Sequence, residues 1–273
     1  MVAMRTVPLS VLSVGLVWLL AGCDFFSVGK TCASGIGIRS QAYTGTSLEA
    51  KQLALSFSGG PGDGTLAIDA ALTAASVQAA FFVSGKHIVG RETTLAALKA
   101  HGHIVANQGY TDSPLESSLD AQREVRKTDA LIQPYVTGNI YLLRAIGSIN
   151  LSDQIALDLN KSGLSRYVGP IGWDIGDQTP NQVDDASCWQ AGTSVSDCAA
   201  AYLAAIEKAD KGIVRLHADD ARSAELLQKL LPELKQANYQ FVRLDAVSTI
   251  QTALKSSGAT IGAVGGDQGC SDY

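Results

Sequence analysis

The feature that most constrains the fold is an alternation, sustained along most of the chain, of short apolar runs with longer stretches whose apolar residues recur at helical spacing. Residues 52–57, 79–84, 103–107, 139–144, 167–172, 212–217 and 239–243 read as strands. Between or after them, 65–75, 86–100, 115–132, 152–161, 196–209, 221–237 and 245–255 carry helix-like spacing. Repeated strand and helix units give a mostly parallel sheet with helices outside it. About seven such units predict an α/β fold of the distorted (β/α) barrel kind, closed or nearly closed. In such a barrel the chemistry lies in the loops that follow the carboxyl ends of the strands. Ser58-Gly59-Gly60-Pro61 follows the first strand, residues 107–112 follow the third, and Arg144 ends the fourth. Trp173-Asp174 follows the fifth and His217 ends the sixth, so five polar loops converge on one rim.

The amino terminus bears on the compartment. Arg5 precedes an apolar run over 7–20 that is short for a bilayer span, and Leu20-Ala21-Gly22-Cys23 closes it with small residues. This resembles a bacterial lipobox, which implies a lipoprotein signal peptide over 1–22 and acylation of Cys23; several acyl chains suffice for stable anchoring. An ordinary cleaved signal peptide is the other reading. Residues 23–49, rich in Gly, Ser and Thr, read as anchor and tether, and 50–273 as the globular domain. The location expected is the bacterial cell envelope, lipid-anchored to a membrane on its periplasmic or extracellular face.

The chain has five cysteines. With Cys23 assigned to lipid, the even number left in an exported domain suggests disulfides, with three possible pairings of Cys32, Cys188, Cys198 and Cys270. Cys188 with Cys198 and Cys32 with Cys270 are favoured. A cysteine zinc site is disfavoured, because no CxxC pair is present and the histidines lie far away in sequence. After removal of the signal, about 250 residues remain, which suits one large domain. The formal net charge is −5 and there is no run of Lys or Arg, so nothing marks a nucleic-acid partner.

Several segments in order resemble the NodB-type polysaccharide deacetylases, carbohydrate esterase family 4, over roughly residues 53–244. Ser56-Phe57-Ser58-Gly59-Gly60-Pro61 stands where that family has TFDDGP, and Ala80-Phe81-Phe82-Val83 stands where relatives commonly read TFFV. Residues 102–112, including Asn107-Gln108-Gly109-Tyr110-Thr111-Asp112, match the frame of the NHTxxH motif. Arg144-Ala145-Ile146-Gly147-Ser148 keeps the arginine of RxPxG and loses its proline, and Arg215-Leu216-His217 matches LxH.

The resemblance implies a chemistry and also its damage. Deacetylation of an N-acetyl sugar needs a base to activate water, a Lewis acid, and an acid for the leaving amine. Active relatives use an aspartate base, zinc on an Asp-His-His set and the LxH histidine. Carried across, the base falls on Ser58, the metal ligands on Gly59, Gln108 and Asp112, and the acid on His217. Gly59 offers no side chain, only Asp112 offers a good ligand, and a catalytic zinc wants three protein ligands, so no metal or other cofactor is expected. An alternative metal set of Asp112, Asp174 and His217 is conceivable from residue types alone.

His217 and Arg144 are expected as catalytic remnants. In active relatives the arginine steadies the base; here, with Ser58 opposite, Arg144 is expected either to meet an anionic or acetamido group of a ligand or to pair with Asp112 or another carboxylate. Asp174, Asp177 and Asp185 are each candidates for the residue that steadies the histidine. Tyr110, Asn107, Trp173 and Asp174 are candidate glycan contacts, with Trp173 and Trp189 either stacking on sugar rings or packing the 173–196 connection onto the barrel. The expected function is an envelope lipoprotein of this family that binds glycan, such as cell-wall or extracellular polysaccharide, or an envelope partner without the ancestral activity. An active carbohydrate deacetylase with a rearranged metal site is the alternative.

Overall fold

A computed structural model describes residues 37–177 and 182–257. The expected signal peptide, Cys23, most of the expected tether, Cys32 and Cys270 lie outside the described residues. The described strands are β1 (Ile38–Tyr43), β2 (Gln52–Ser58), β3 (Ala80–Val83), β4 (Ile104–Asn107), β5 (Gly169–Ile171), β6 (Gly212–His217) and β7 (Gln240–Phe241). The helices are α1 (Thr65–Ala74), α2 (Glu92–Ala100), α3 (Ser118–Ile132), α4 (Asp153–Leu159), α5 (Asp185–Gln190), α6 (Val195–Ala209), α7 (Ala221–Gln236) and α8 (Ser248–Ser256).

β2 is the central strand. A parallel strand is covered on both faces, which is why β2 reads as a near-continuous apolar run, and every residue after Gln52 is buried. β6 pairs with β2 from Leu53 beside Gly212 to Ser58 beside His217. The other edge of β2 is shared, β3 taking Ser56, Phe57 and Ser58 and β7 taking Gln52 and Leu53. β4 continues the sheet beyond β3. Successive residues face opposite sides, so two cores form. Leu53, Leu55, Phe57, Phe81, Val105, Val214 and Leu216 pack outward against α1, α2, α6 and α7, whereas Ala54, Ala80, Phe82, Ala106 and Ile213 pack inward with Leu142, Val168 and Ile171.

The expected barrel is realised with unequal pairing. Beyond the five-stranded sheet, single bridges join Asn107 to Leu143 and Leu142 to Val168, next to the β1–β5 pair, and Ile175 returns to Val214 of β6. The expected strand over 139–144 is thus reduced to single bridges. Two other expectations need correction. The segment read as tether to residue 49 holds β1, paired with β5, and a 3-10 turn over Gly45–Ser47. The helix expected over 86–100 begins only at Glu92, after Gly90 at φ 83° has broken the run. α5 is a helix the sequence reading missed; six residues are too few to show a period. The Cys188–Cys198 disulfide fixes it to the start of α6, as expected.

Candidate active site

Strand parity assembles the site. Ser56 and Ser58 lie two apart on the inward face of β2, and the register sets them beside Arg215 and His217 of β6. At the carboxyl ends of these strands Ser58, Arg215 and His217, with Gln108, Arg144, residues 145–149, Trp173 and Asp177, line a cavity of about 380 Å³.

Arg144 forms the floor and is 1% exposed. Its Nη1 donates to Ser58 Oγ at 3.0 Å, Nη2 to Ser56 Oγ at 2.9 Å and to the Gly172 carbonyl at 3.3 Å, and Nε to the Ile171 carbonyl at 3.1 Å. The guanidinium lies 4.0 Å from the centre of the Phe82 ring. All its acceptors are neutral. Burial, and then the nearby Arg215 charge, hold its pKa well below the usual arginine range. The expected alternative of a pair with Asp112 is not realised: Asp112 bonds the Ser84 hydroxyl, stands 2.9 Å from Lys86 Nζ and 3.6 Å from His87 Nε2, and is turned away from the cavity.

His217 has the orienting acid that sequence left open. Its Nδ1 lies 2.6 Å from Asp185 Oδ1, and its backbone N–H donates to Asp185 Oδ2 at 2.9 Å. Ser223 Oγ donates to the same Asp185 oxygen at 2.6 Å. Burial opposes the imidazolium, but the bond and charge of Asp185, joined by Asp184, outweigh it and raise the His217 pKa above 6.5. Nδ1 is occupied, so Nε2 is the nitrogen left for the cavity. Asp184, the N-cap of α5, accepts from Ser187 and from Arg215 Nη2 at 2.8 Å. The Arg215 guanidinium is 4.0 Å from the Trp173 ring centre.

The other expected residues divide. Trp173 lines the cavity and is half-buried. Asn107 is fully buried; it donates to the Val125 carbonyl and Tyr167 hydroxyl and accepts from Gly109 N–H, so it shapes the loop after β4. Tyr110 sits outside the cavity lining, its ring under Lys127 Nζ and its N–H on Glu124. Asp174 accepts the Gly45 and Ile213 amides at 2.7 Å each, a structural duty. These three are corrections to the glycan contacts expected from sequence. Trp189 is buried and packs the core, donating to Ser223 Oγ. Sequence reasoning undervalued Ser56, Arg215, Asp184 and Asp185; the period-2 spacing of Ser56 with Ser58 and of Arg215 with His217 was the available signal.

The positions at which the resemblance places zinc ligands do not fit a zinc ion. Gly59 has no side-chain donor, and its N–H is bonded to Gln108 Oε1 at 3.1 Å, which turns the amide oxygen toward the backbone. The carboxylate of Asp219 is about 3.8 Å from where a Gly59 Cβ would stand, and Asp112 faces elsewhere. The set Asp112, Asp174 and His217 is not brought together. Asp184, Asp185 and His217 do place ligand atoms within 4.8 Å of one another. There, however, Asp184 already pairs with Arg215 and His217 Nδ1 already bonds Asp185, an arrangement that neutralises the carboxylates without a metal. The site can donate hydrogen bonds from Arg144 and Gln108 and a proton from His217.

Residues 45–165 match the family model described as polysaccharide deacetylase. No curated protein matches the chain significantly. Among solved structures, the Bc1960 peptidoglycan N-acetylglucosamine deacetylase is similar at a TM-score of 0.62 and 20% identity, over 77% of this chain and 92% of that one. PdaC, a peptidoglycan deacetylase from Bacillus subtilis, gives 0.58 and 18% over 76% and 95%. A mutant of BA3943, a CE4 family pseudoenzyme from Bacillus anthracis, with restored enzymatic activity gives 0.58 and 17% over 73% and 68%. Residues 45–165 thus match a polysaccharide deacetylase domain, and the α/β fold is the one shared by these NodB-type deacetylase structures.

Proposed function

We propose that the protein is an envelope lipoprotein, anchored through Cys23, whose deacetylase domain has kept the saccharide cleft and lost the hydrolytic centre. The observation that carries this reading is the Gly59 N–H to Gln108 Oε1 bond: two inherited metal positions are engaged with each other through neutral groups. Ser58 at the base position is equally unsuited, because an unactivated hydroxyl is a poor proton acceptor near neutral pH. A positioned base contributes about 10²–10⁴ in rate and a metal adds further transition-state stabilisation. The cavity nonetheless retains an aromatic wall at Trp173, the Asp185-oriented His217 and the donors of Arg144 and Gln108, groups suited to holding a polar sugar. The structural neighbours include both peptidoglycan deacetylases and a pseudoenzyme, and cell-wall glycan is the ligand class this reading assigns.

The test joins metal analysis to binding. Purified full-length protein should hold no stoichiometric zinc and bind none at micromolar concentration, yet be retained on peptidoglycan, with retention weakened by Trp173→Ala. One tight metal per chain, lost on Asp185→Ala or His217→Ala, would favour the second reading, a hydrolase with a rearranged metal site. That reading draws on the close approach of Asp184, Asp185 and His217. Absence of any binding to peptidoglycan or N-acetylglucosamine polymers would remove the glycan-binding reading.

A further inference from the structure

The residues around the cavity hold more hydrogen-bond donors than the described residues use. Ser58 Oγ accepts from Arg144, and its own proton has no acceptor among the described residues. Gln108 spends its oxygen on Gly59, which leaves its amide nitrogen as a donor. Trp173 Nε1 and Arg215 Nε are buried without an acceptor among the described residues; the Arg215 side chain is 10% exposed. Arg144 adds a positive charge whose bonds all go to hydroxyls and carbonyls. Among the described residues, Asp177 is the carboxylate that lines the same cavity. A buried cation among unfilled donors is costly to leave alone and is matched by an acceptor that carries negative charge.

We propose that the cavity floor at Arg144, Ser58 and Gln108 is a carboxylate site, so that the saccharide recognised is an acidic one. In the sequence frame of the family, Ser58 stands where a carboxylate-bearing residue is expected. Replacing that side chain by serine shortens it while Arg144 stays in place, so a ligand can supply the group the chain no longer does. A carboxylate here accepts from the Ser58 hydroxyl and the Gln108 amide and balances Arg144. The sugar part of this proposal rests on the glycan-binding reading above; the carboxylate part does not.

Two measurements separate them. The melting temperature of the full chain is compared in sodium acetate and in sodium chloride at equal ionic strength, for the parent and for Ser58→Asp, which supplies a carboxylate from the chain itself. The parent should be stabilised by acetate; S58D should melt higher than the parent and gain nothing from acetate. Calorimetry then compares the disaccharide of N-acetylglucosamine and N-acetylmuramic acid with the disaccharide of two N-acetylglucosamines, which lacks only the lactyl carboxylate, and with a uronic acid disaccharide. Charge-assisted hydrogen bonds should favour a carboxylated sugar by about tenfold or more, a preference that S58D abolishes. The lactyl and uronate arms identify which source of carboxylate fits. Equal affinity for neutral and acidic sugars, with no acetate effect, overturns the carboxylate site and leaves the glycan-binding reading standing. Acetate stabilisation that disappears in S58D, with no sugar bound, upholds the carboxylate site and removes the saccharide.

Discussion

Arg144 Nη1 and Ser58 Oγ are 3.0 Å apart at the floor of the cavity, a buried guanidinium held by a hydroxyl. Ser56, on the same face of β2, takes the other terminal nitrogen. The arginine is therefore a packing element and an unbalanced charge at once, and the two roles can be separated by substitution.

Arg144→Ala removes the side chain from between Phe82 and the β2 serines and should lower stability by about 2–5 kcal/mol, the range for truncating a large buried group. Arg144→Met keeps most of the volume and deletes the charge. Its loss should be smaller, because removal of a buried ion without a counter-ion offsets part of the lost hydrogen bonding. Urea unfolding of the two variants decides this; a methionine variant as unstable as the alanine one would mean the charge is not a burden.

Gly59 has φ 74°, and Asp219 lies next to the space its side chain would take. Restoring an acid by Gly59→Asp should cost about 1–3 kcal/mol, from left-handed backbone strain together with like-charge contact. Asp219→Asn in the same background should recover part of the loss. If thermal unfolding shows Gly59→Asp to be neutral, the backbone here has adapted less than the geometry implies.

His217 should titrate above 6.5, and Asp185→Asn should bring its midpoint down. The sign for stability follows: a pKa raised by folding stabilises the protein fully below the unfolded value near 6.5, and this contribution is lost as pH rises through the folded value. Asp184, whose pKa is lowered in the folded state, contributes above 3.8 and loses its share as pH falls through the folded value. Proton NMR of the imidazole and melting curves against pH check both, and an imidazole midpoint at or below 6.5 contradicts the pairing.

The disulfide closes a short loop, Cys188 and Cys198 being 10 apart in sequence, and it fixes the helix that carries Asp185. Reduction should lower stability by about 3 kcal/mol on the loop-entropy account. It should also loosen α5 and so lower the His217 midpoint. Melting with and without reductant measures the first effect and NMR the second; an unchanged imidazole midpoint after reduction would show that the other contacts of α5, among them the Asp185 N–H to Tyr202 hydroxyl bond and the Ser223 hydroxyl on the Asp185 carboxylate, suffice to hold it.

Much of the scaffold was legible in the sequence. Gly212–His217 is the strand expected, and β2 differs only by Ser58, because parallel strands buried on both faces leave uninterrupted apolar runs. The residues that escaped reading are those whose structure depends on distant pairing: β1 exists through β5, and α5 is a single short turn pinned by a disulfide. In the site, Arg144, Ser58, Trp173 and His217 were legible from their places after strands. Asn107, Tyr110 and Asp174 have the right residue types in the right loops, yet their polar atoms serve the local backbone or neighbouring side chains, and nothing in their spacing distinguishes that from a ligand contact.

By itself the sequence determined the succession of strands and helices, the order of residues along the rim, and the absence of acids at positions 58 and 59. No folding can give glycine a side-chain ligand atom, so the loss of those groups is fixed by residue type at those positions. Only the tertiary structure decided that Arg144 is buried on hydroxyls, that Asp112 turns to Lys86, and that Asp185, 32 residues away, is the partner of His217. Such choices depend on strand register and loop path, which bring together groups from separate parts of the chain, and hydrogen bonds of a few ångströms are set by that placement and not by residue type.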